Sequence, residues 1–504
     1  MIRDKLTTVL SLAMLLMCAT ARAGQGPDVT KKTGATRTQF ICPDSQLLSI
    51  DSIDANSVNN IESVGQGVRG LPCKASIEKN KPKNTSPREM LSTRLQDGFD
   101  YYSWLTFIAL NSPADGVHPI ASDNGTFWET WKQLPDVMLP GGEKPAPWSN
   151  PNIPTPPAEC ASKFKPGMMI IHMEMEETYN EPFKSGPLFD QNGNYAVFVI
   201  FLNQQMFQYI VDNSLYNIKG QRDFSGEINF PSGTRDDNTG NGTLGAVMVK
   251  ASWKILKPGA SENATFHAID GLLYMPQSAE PCRLVKLGLI GFHVGHKTDD
   301  RQQWIWTTFE HDRNVPSSQE ADSRKAKGPY NFYNPDCLPD SCPVNETPPR
   351  PWEPDKQRPA WDPFLHPSTF KSQIVRMGPS PIFKDAGVLN TAFHESKWLQ
   401  RTVWKNYDLI TTQWPSDPCA SDPHPDQLPD ATCAPFPTFL ANTTLETFSQ
   451  QDKEAGTPIA TSSCIACHNN ATTHHQPATR SDFTYILEKA QGPVDKPQVQ
   501  RSSK

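Results

Sequence analysis

Two neighbouring runs decide the fold class: Leu284-Val285-Lys286-Leu287-Gly288-Leu289-Ile290-Gly291-Phe292-His293-Val294-Gly295-His296 and Gln303-Trp304-Ile305-Trp306-Thr307-Thr308-Phe309-Glu310. Both are rich in apolar, β-branched and aromatic residues and free of proline, so both read as strands. Gly245 to Leu256 reads the same way. Further upstream, Met168 to Glu177 and Tyr195 to Leu202 flank Asp190-Gln191-Asn192-Gly193, whose Asn-Gly step is a tight-turn signal, so the two are expected to be hairpin-related. The same acidic turn does not suit calcium, because Tyr195 and Phe201 occupy the places where an EF-hand needs Gly and Glu.

Helices are few in this reading. Ser86-Pro87-Arg88-Glu89 looks like a helix start, with proline in the first turn. Met90, Leu91, Leu95, Phe99, Tyr102, Trp104, Leu105 and Ile108 continue it, and Asn111-Ser112-Pro113 ends it. Shorter helices are expected at Phe127–Lys132 and Gln204–Tyr216, and two closing helices at Phe439–Gln450 and Ser481–Gln491. Proline reaches 47 of 504 residues. It concentrates in residues 133–166, 334–367 and 414–437, which read as connectors because proline fixes φ and lacks a donor. The fold class is therefore α+β: a large strand-rich, proline- and loop-rich region with a few helices, plus a small C-terminal helical segment.

The N-terminus reads as an address. Arg3 and Lys5 precede a short apolar run from Val9 to Met17, and Ala21-Arg22-Ala23 offers a small-x-small cleavage pattern. Cleavage after Ala23 would send the chain to the periplasm or out of the cell. The apolar run is too short for a lasting transmembrane anchor. A mixed net charge of −7 without a basic stripe excludes nucleic acid as a partner class. Setting aside Cys18, Cys464 and Cys467 leaves eight cysteines: Cys42, Cys73, Cys160, Cys282, Cys337, Cys342, Cys419 and Cys433. An even number in an exported chain suits disulfides, with Cys337–Cys342 and Cys419–Cys433 as the simplest neighbour pairs.

Cys464-Ile465-Ala466-Cys467-His468 carries the sharpest chemistry. Two thiols three apart suit addition to the two vinyl groups of one haem, and the adjacent imidazole then lies under the iron. A redox dithiol would sit after a strand in a βαβ unit, which is not seen here, and zinc would need a second ligand pair, which His474 and His475 could supply only with strain. The stretch from the motif to the second closing helix is short and contains no methionine. The other face of the iron is thus expected to be open or filled from the large region, with Met377, His394 and His293 as the named distal candidates. His293, His296 and His311 also invite a second metal, but alternation on a strand puts His293 and His296 on opposite faces unless Gly295 bulges. No nucleophile elbow, phosphate loop, zincin helix or dinucleotide fingerprint occurs.

Several segments together resemble a known group. They are Tyr102-Ser103-Trp104-Leu105-Thr106-Phe107-Ile108-Ala109-Leu110-Asn111, Phe127-Trp128-Glu129-Thr130-Trp131-Lys132, Gln303 to His311, Ala441-Asn442-Thr443-Thr444-Leu445-Glu446-Thr447 and the haem motif. The chain resembles exported bacterial cytochrome c family proteins of about this length with a single CxxCH, over roughly residues 88–491. The resemblance implies one covalent haem c on Cys464, Cys467 and His468, and carries over no substrate and no catalytic residue.

The domain organisation that follows is a signal peptide at 1–23, a polar segment at 24–85, an α+β scaffold at 86–388, a haem region at 389–492 and a tail at 493–504. The expected function is haem binding and electron transfer with a redox partner protein or a small-molecule electron donor or acceptor. The alternative is a haem-dependent oxidoreductase of peroxidase or oxygenase type, with an open distal position.

Overall fold

The structure is a computed structural model. It describes residues 71, 89–113, 120–121, 125–173, 185–235, 242–299, 301–337, 340–349, 368–377, 384–397, 399–415, 435–450 and 462–492. The signal peptide, the polar segment apart from Leu71, the tail, and Cys42, Cys73, Cys419 and Cys433 lie outside the described residues.

In chain order the elements are α1 (Glu89–Asn111), β1 (Lys132–Gln133), β2 (Met169–His172), β3 (Val197–Leu202), α2 (Gln204–Asp212), α3 (Ile218–Asp223), β4 (Thr234–Arg235), β5 (Gly242–Thr243), β6 (Val247–Ile255), β7 (Ala268–Tyr274), β8 (Cys282–Thr298), β9 (Arg301–His311), α4 (Ser318–Asp322), α5 (Lys384–Glu395), β10 (Tyr407–Pro415), β11 (Pro435–Phe436) and α6 (Cys464–His468). Nine strands form one sheet in the order β1-β3-β6-β8-β9-β10-β11, with β7 on β8 and β2 on β7. All pairs are antiparallel except β2 with β7.

The long strand β8 organises the rest. One of its edges pairs with β6 from Leu287 to His296. The other edge takes β7 at Cys282 to Gly288 and β9 from Gly291 onward, end to end. Every residue from Leu287 to Thr298 is buried, so the sheet here is covered on both faces. A strand covered on both sides has no reason to alternate apolar with polar, and the run Leu-Gly-Leu-Ile-Gly-Phe-His-Val-Gly-His does not.

On the first face lie α1 and α5. Trp104 stacks on Phe393 at 4.6 Å, and Phe107 stacks on Phe309 at 4.1 Å. Trp104 Nε1 donates to Asn390 Oδ1 at 3.0 Å, and Asn390 Nδ2 donates to Leu409 O, tying both helices to β10. The second face carries residues 437–450 and 462–490. Gln413 Nε2 donates to Pro437 O, Asn442 Nδ2 to Thr308 Oγ1, and Trp304 Nε1 to Asp482 O.

Three strand expectations stand close to their observed bounds: Gly245–Leu256 is β6, Leu284–His296 is β8 and Gln303–Glu310 is β9. The first helix ends at Asn111 as its Asn-Ser-Pro stop requires. The hairpin is confined to the turn itself, where Phe189 bridges Tyr195 antiparallel and the Ala196 amide donates to Leu188 O. Gly193 adopts φ +80° and Asp190 Oδ1 accepts from the Asn192 and Asn194 amides, so the turn itself is made. Its flanks pair elsewhere, β2 with β7 and β3 with β6. Turn chemistry acts over a few residues, whereas strand partners follow from burial across the whole sheet.

The expected short helix at 127–132 is a single 3₁₀ turn, Trp128–Thr130, after which Lys132 and Gln133 join the sheet. The closing helices are also corrected, to 3₁₀ turns at Thr447–Ser449 and Tyr485–Lys489. In the first, Thr443 N donates to Glu310 Oε1, diverting backbone from a helical ladder. In the second, Asp482 and Phe483 have φ of 49° and 60°, which right-handed helix excludes. The boundary expected between 388 and 389 does not coincide with a break in the sheet, because β10 pairs with β9 from Tyr407 to Gln413. Of the eight paired-cysteine expectations, Cys337–Cys342 forms as a neighbour pair, and Cys160 reaches across 122 positions to Cys282 at the start of β8. No helix among the described residues is long and apolar enough to cross a membrane.

Candidate functional site

The Cys-x-x-Cys-His run forms α6, one short helix capped by Ser463, whose side chain accepts from the Ala466 amide. Gln413 of β10 anchors its start: Oε1 accepts from the Ile465 amide at 2.8 Å while Nε2 donates to Ser463 Oγ at 3.0 Å. Neither Cys464 nor Cys467 is in a disulfide. Tyr485 Oη donates to Cys467 O at 2.9 Å and closes the helix from the C-terminal side.

His468 is half-buried between aromatic rings, with Trp306 at 4.3 Å and Tyr485 at 5.2 Å between centroids. Its Nδ1–H donates to Phe483 O at 2.7 Å. A carbonyl only accepts, so the proton sits on Nδ1. No hydrogen bond engages Nε2 among the described residues, and that nitrogen keeps its lone pair. Burial lowers the imidazole pKa to about 4, with the nearby charges of Lys250 and His293 acting in the same direction. The ring is therefore neutral at ordinary pH, the state in which a histidine ligates.

Beneath α6 the second face of the sheet is a grid fixed by register. One row runs Met248, Gly295, Trp306, Gln413 across β6, β8, β9 and β10. The next row on the same face runs Lys250, His293, Thr308. His293 Nε2–H donates to both oxygens of Glu446, at 2.9 and 3.0 Å. Glu446 Oε2 also accepts from the Asn442 amide. Burial alone would raise the Glu446 pKa, but His293, Lys250 and the amide hold it below the usual value, so the carboxylate is ionised. A third row holds Glu310, which takes both guanidinium nitrogens of Arg376 at 3.0 and 2.6 Å.

Burial pushes the Cys464 thiol well up, and the charges of Glu446 and Cys467 push the same way. A redox dithiol needs the opposite, an electropositive setting that favours thiolate. His474 Nδ1 donates to Glu488 O and His475 Nδ1 pairs with Thr473 Oγ1, so both rings are held within their own segment. Among the described residues, no group of three or more His, Cys, Asp or Glu side chains is gathered as a metal site.

The three distal candidates part company. His293 lies on the face that carries α6. His394, on α5, is on the opposite face, its Nε2 against Tyr407 O at 2.9 Å and its ring edge on Trp104. Met377 follows Arg376, and its amide donates to Gln450 Oε1. His296 points away from His293, with Nδ1 against Tyr102 Oη at 2.5 Å, and register runs unbroken through Gly295, so there is no bulge to unite them. His311 is spent on Thr265 O and the Arg313 amide.

Gln413 and Glu446 were missed by sequence reasoning, as was all of β10. The run Ile410-Thr411-Thr412 between Tyr407 and Trp414 is a β-branched, aromatic-flanked strand signal that identifies it. Compared with family models, curated proteins and solved structures, the chain matches none.

Proposed function

We propose that this chain is an exported monohaem c-type cytochrome that carries one covalent haem on Cys464 and Cys467, with His468 as proximal ligand, and that it transfers electrons. The observation that carries the reading is the state of His468. Directly after the second thiol stands a neutral imidazole whose Nδ1–H is fixed on Phe483 O and whose Nε2 is left over for iron. Metal-ligating histidines are oriented by such a hydrogen bond on the other ring nitrogen.

A haem held there supplies a one-electron iron couple. The chain's own residues hold α6 on the sheet through Gln413, orient His468 through Phe483 and set the aromatic ring of Trp306 against it. The two disulfides agree with an oxidising destination. Electrons would pass to or from a redox partner protein or a small-molecule donor or acceptor, with no nucleic acid involved.

The test is expression in a host that matures c-type haem, followed by haem staining of the denatured chain. The unsubstituted chain keeps its stain and Cys464→Ala/Cys467→Ala loses it. Haem that extracts into acidified acetone from the unsubstituted chain would overturn the reading.

A further inference from the structure

Resting on the haem reading above, we infer that His293 is the ligand this chain offers to the iron opposite His468, with Glu446 as the residue that positions it. His293 pairs with Thr308, and Trp306 is two residues along β9 on the same face. Diagonal neighbours in such a ladder lie about 7–8 Å apart. His293 is therefore rooted beside the ring on which His468 rests.

The chemistry of the two histidines matches. His468 gives its Nδ1–H to Phe483 O, and His293 gives its Nε2–H to the Glu446 carboxylate. In each, one ring nitrogen is fixed by an acceptor and the other, Nε2 in His468 and Nδ1 in His293, makes no hydrogen bond among the described residues. A carboxylate behind a histidine is the usual means of orienting a metal ligand and raising its basicity. His293 is 9% exposed, so most of its side chain is withdrawn from bulk solvent.

The other donors are placed against it. His296 and His394 belong to the opposite face. Met377 follows Arg376, which is clamped to Glu310 four residues from Trp306, or ~13 Å along the strand. His474 and His475 are tied to their own turn. Met248 is the real competitor on the right face, but its sulfur accepts from Thr484 Oγ1, and its side chain fills the space over Gly295.

The test uses the matured full chain and its ferric and ferrous spectra, with electron paramagnetic resonance. The unsubstituted protein is expected to be six-coordinate and low-spin, and unreactive to carbon monoxide. His293→Ala should be high-spin, bind carbon monoxide and return to low-spin when imidazole is added. His293→Gln, which keeps a donor toward Glu446, should also lose the low-spin signature and guards against a folding failure. Glu446→Gln should keep low-spin iron but shift its potential. A low-spin spectrum untouched by both His293 variants, a change confined to Met248→Leu, or high-spin iron in the unsubstituted chain would each overturn the assignment while leaving the haem reading intact. A chain that takes up no covalent haem would overturn both.

Discussion

His293 and His296 stand three residues apart on β8 and point to opposite faces of the sheet, the first onto Glu446 at 2.9 Å and the second onto Tyr102 at 2.5 Å. Unbroken register through Gly295 enforces this separation. One strand thereby serves two environments. His293 belongs to the face beneath the Cys-x-x-Cys-His helix. His296 belongs to the aromatic layer under α1, where burial lowers its pKa to about 3 and holds it neutral.

At Gly291 the 442–446 segment packs tightly against the sheet. A Cβ there would lie 2.2 Å from Thr444 Oγ1 and 2.5 Å from Ser252 Oγ, which hydrogen-bond each other at 2.7 Å. Short, mutually bonded side chains cannot swing aside as a lysine tip does. Gly291→Ala should cost about 1–3 kcal/mol in urea unfolding. Gly125→Ala, with nothing within 4 Å, is the control and should change little.

Glu310 binds the second-face segment by charge. It is 1% exposed, accepts both Arg376 nitrogens, and takes the Thr443 amide and hydroxyl as well. Removing one partner leaves the other charge buried and alone, so Glu310→Ala should lose about 3–5 kcal/mol. The unfolding midpoint reads this directly. Arg376→Ala should fall in the same range, and the double variant should lose clearly less than the sum. Additive losses would show that the pair does not act as a unit.

Asp100 gives a pH signature. Burial beneath β10 raises its pKa from 3.8 to about 7, against the lowering effect of hydrogen bonds from Thr412, Gln96 and Thr411. With the folded value above the unfolded one, the folded state binds the extra proton between about pH 4 and 7. Its contribution is thus fully present below about pH 4 and is lost as pH rises to 7. Asp100→Asn does not titrate, so its stability relative to the parent should climb across that window and level off above it. His296 runs the other way, losing stability as pH falls from about 6.5 toward 3. Comparing variant with parent at each pH removes that background, and a difference flat from pH 4 to 8 would refute the assignment.

By itself the sequence determined what local chemistry determines. It placed α1 and its stop at Asn111, the turn at Asp190–Gly193, strands β6, β8 and β9, the Cys337–Cys342 pair and the Cys464-Cys467-His468 run. Each depends on residues within a turn or two of one another, where φ/ψ preferences, capping and side-chain period act. Only the tertiary structure decided that β2 leaves its turn for β7, that β10 extends the sheet past residue 388, and that Trp306, Gln413, His293 and Glu446 meet. It also dissolved the closing helices, because Asn442, Thr443 and Asp482 hydrogen-bond to the sheet instead of continuing a helical ladder. The reason is that β8 is covered on both faces from Leu287 onward. Its pattern carries no mark of which face receives which partner, and burial of the whole sheet settles what no single segment can encode.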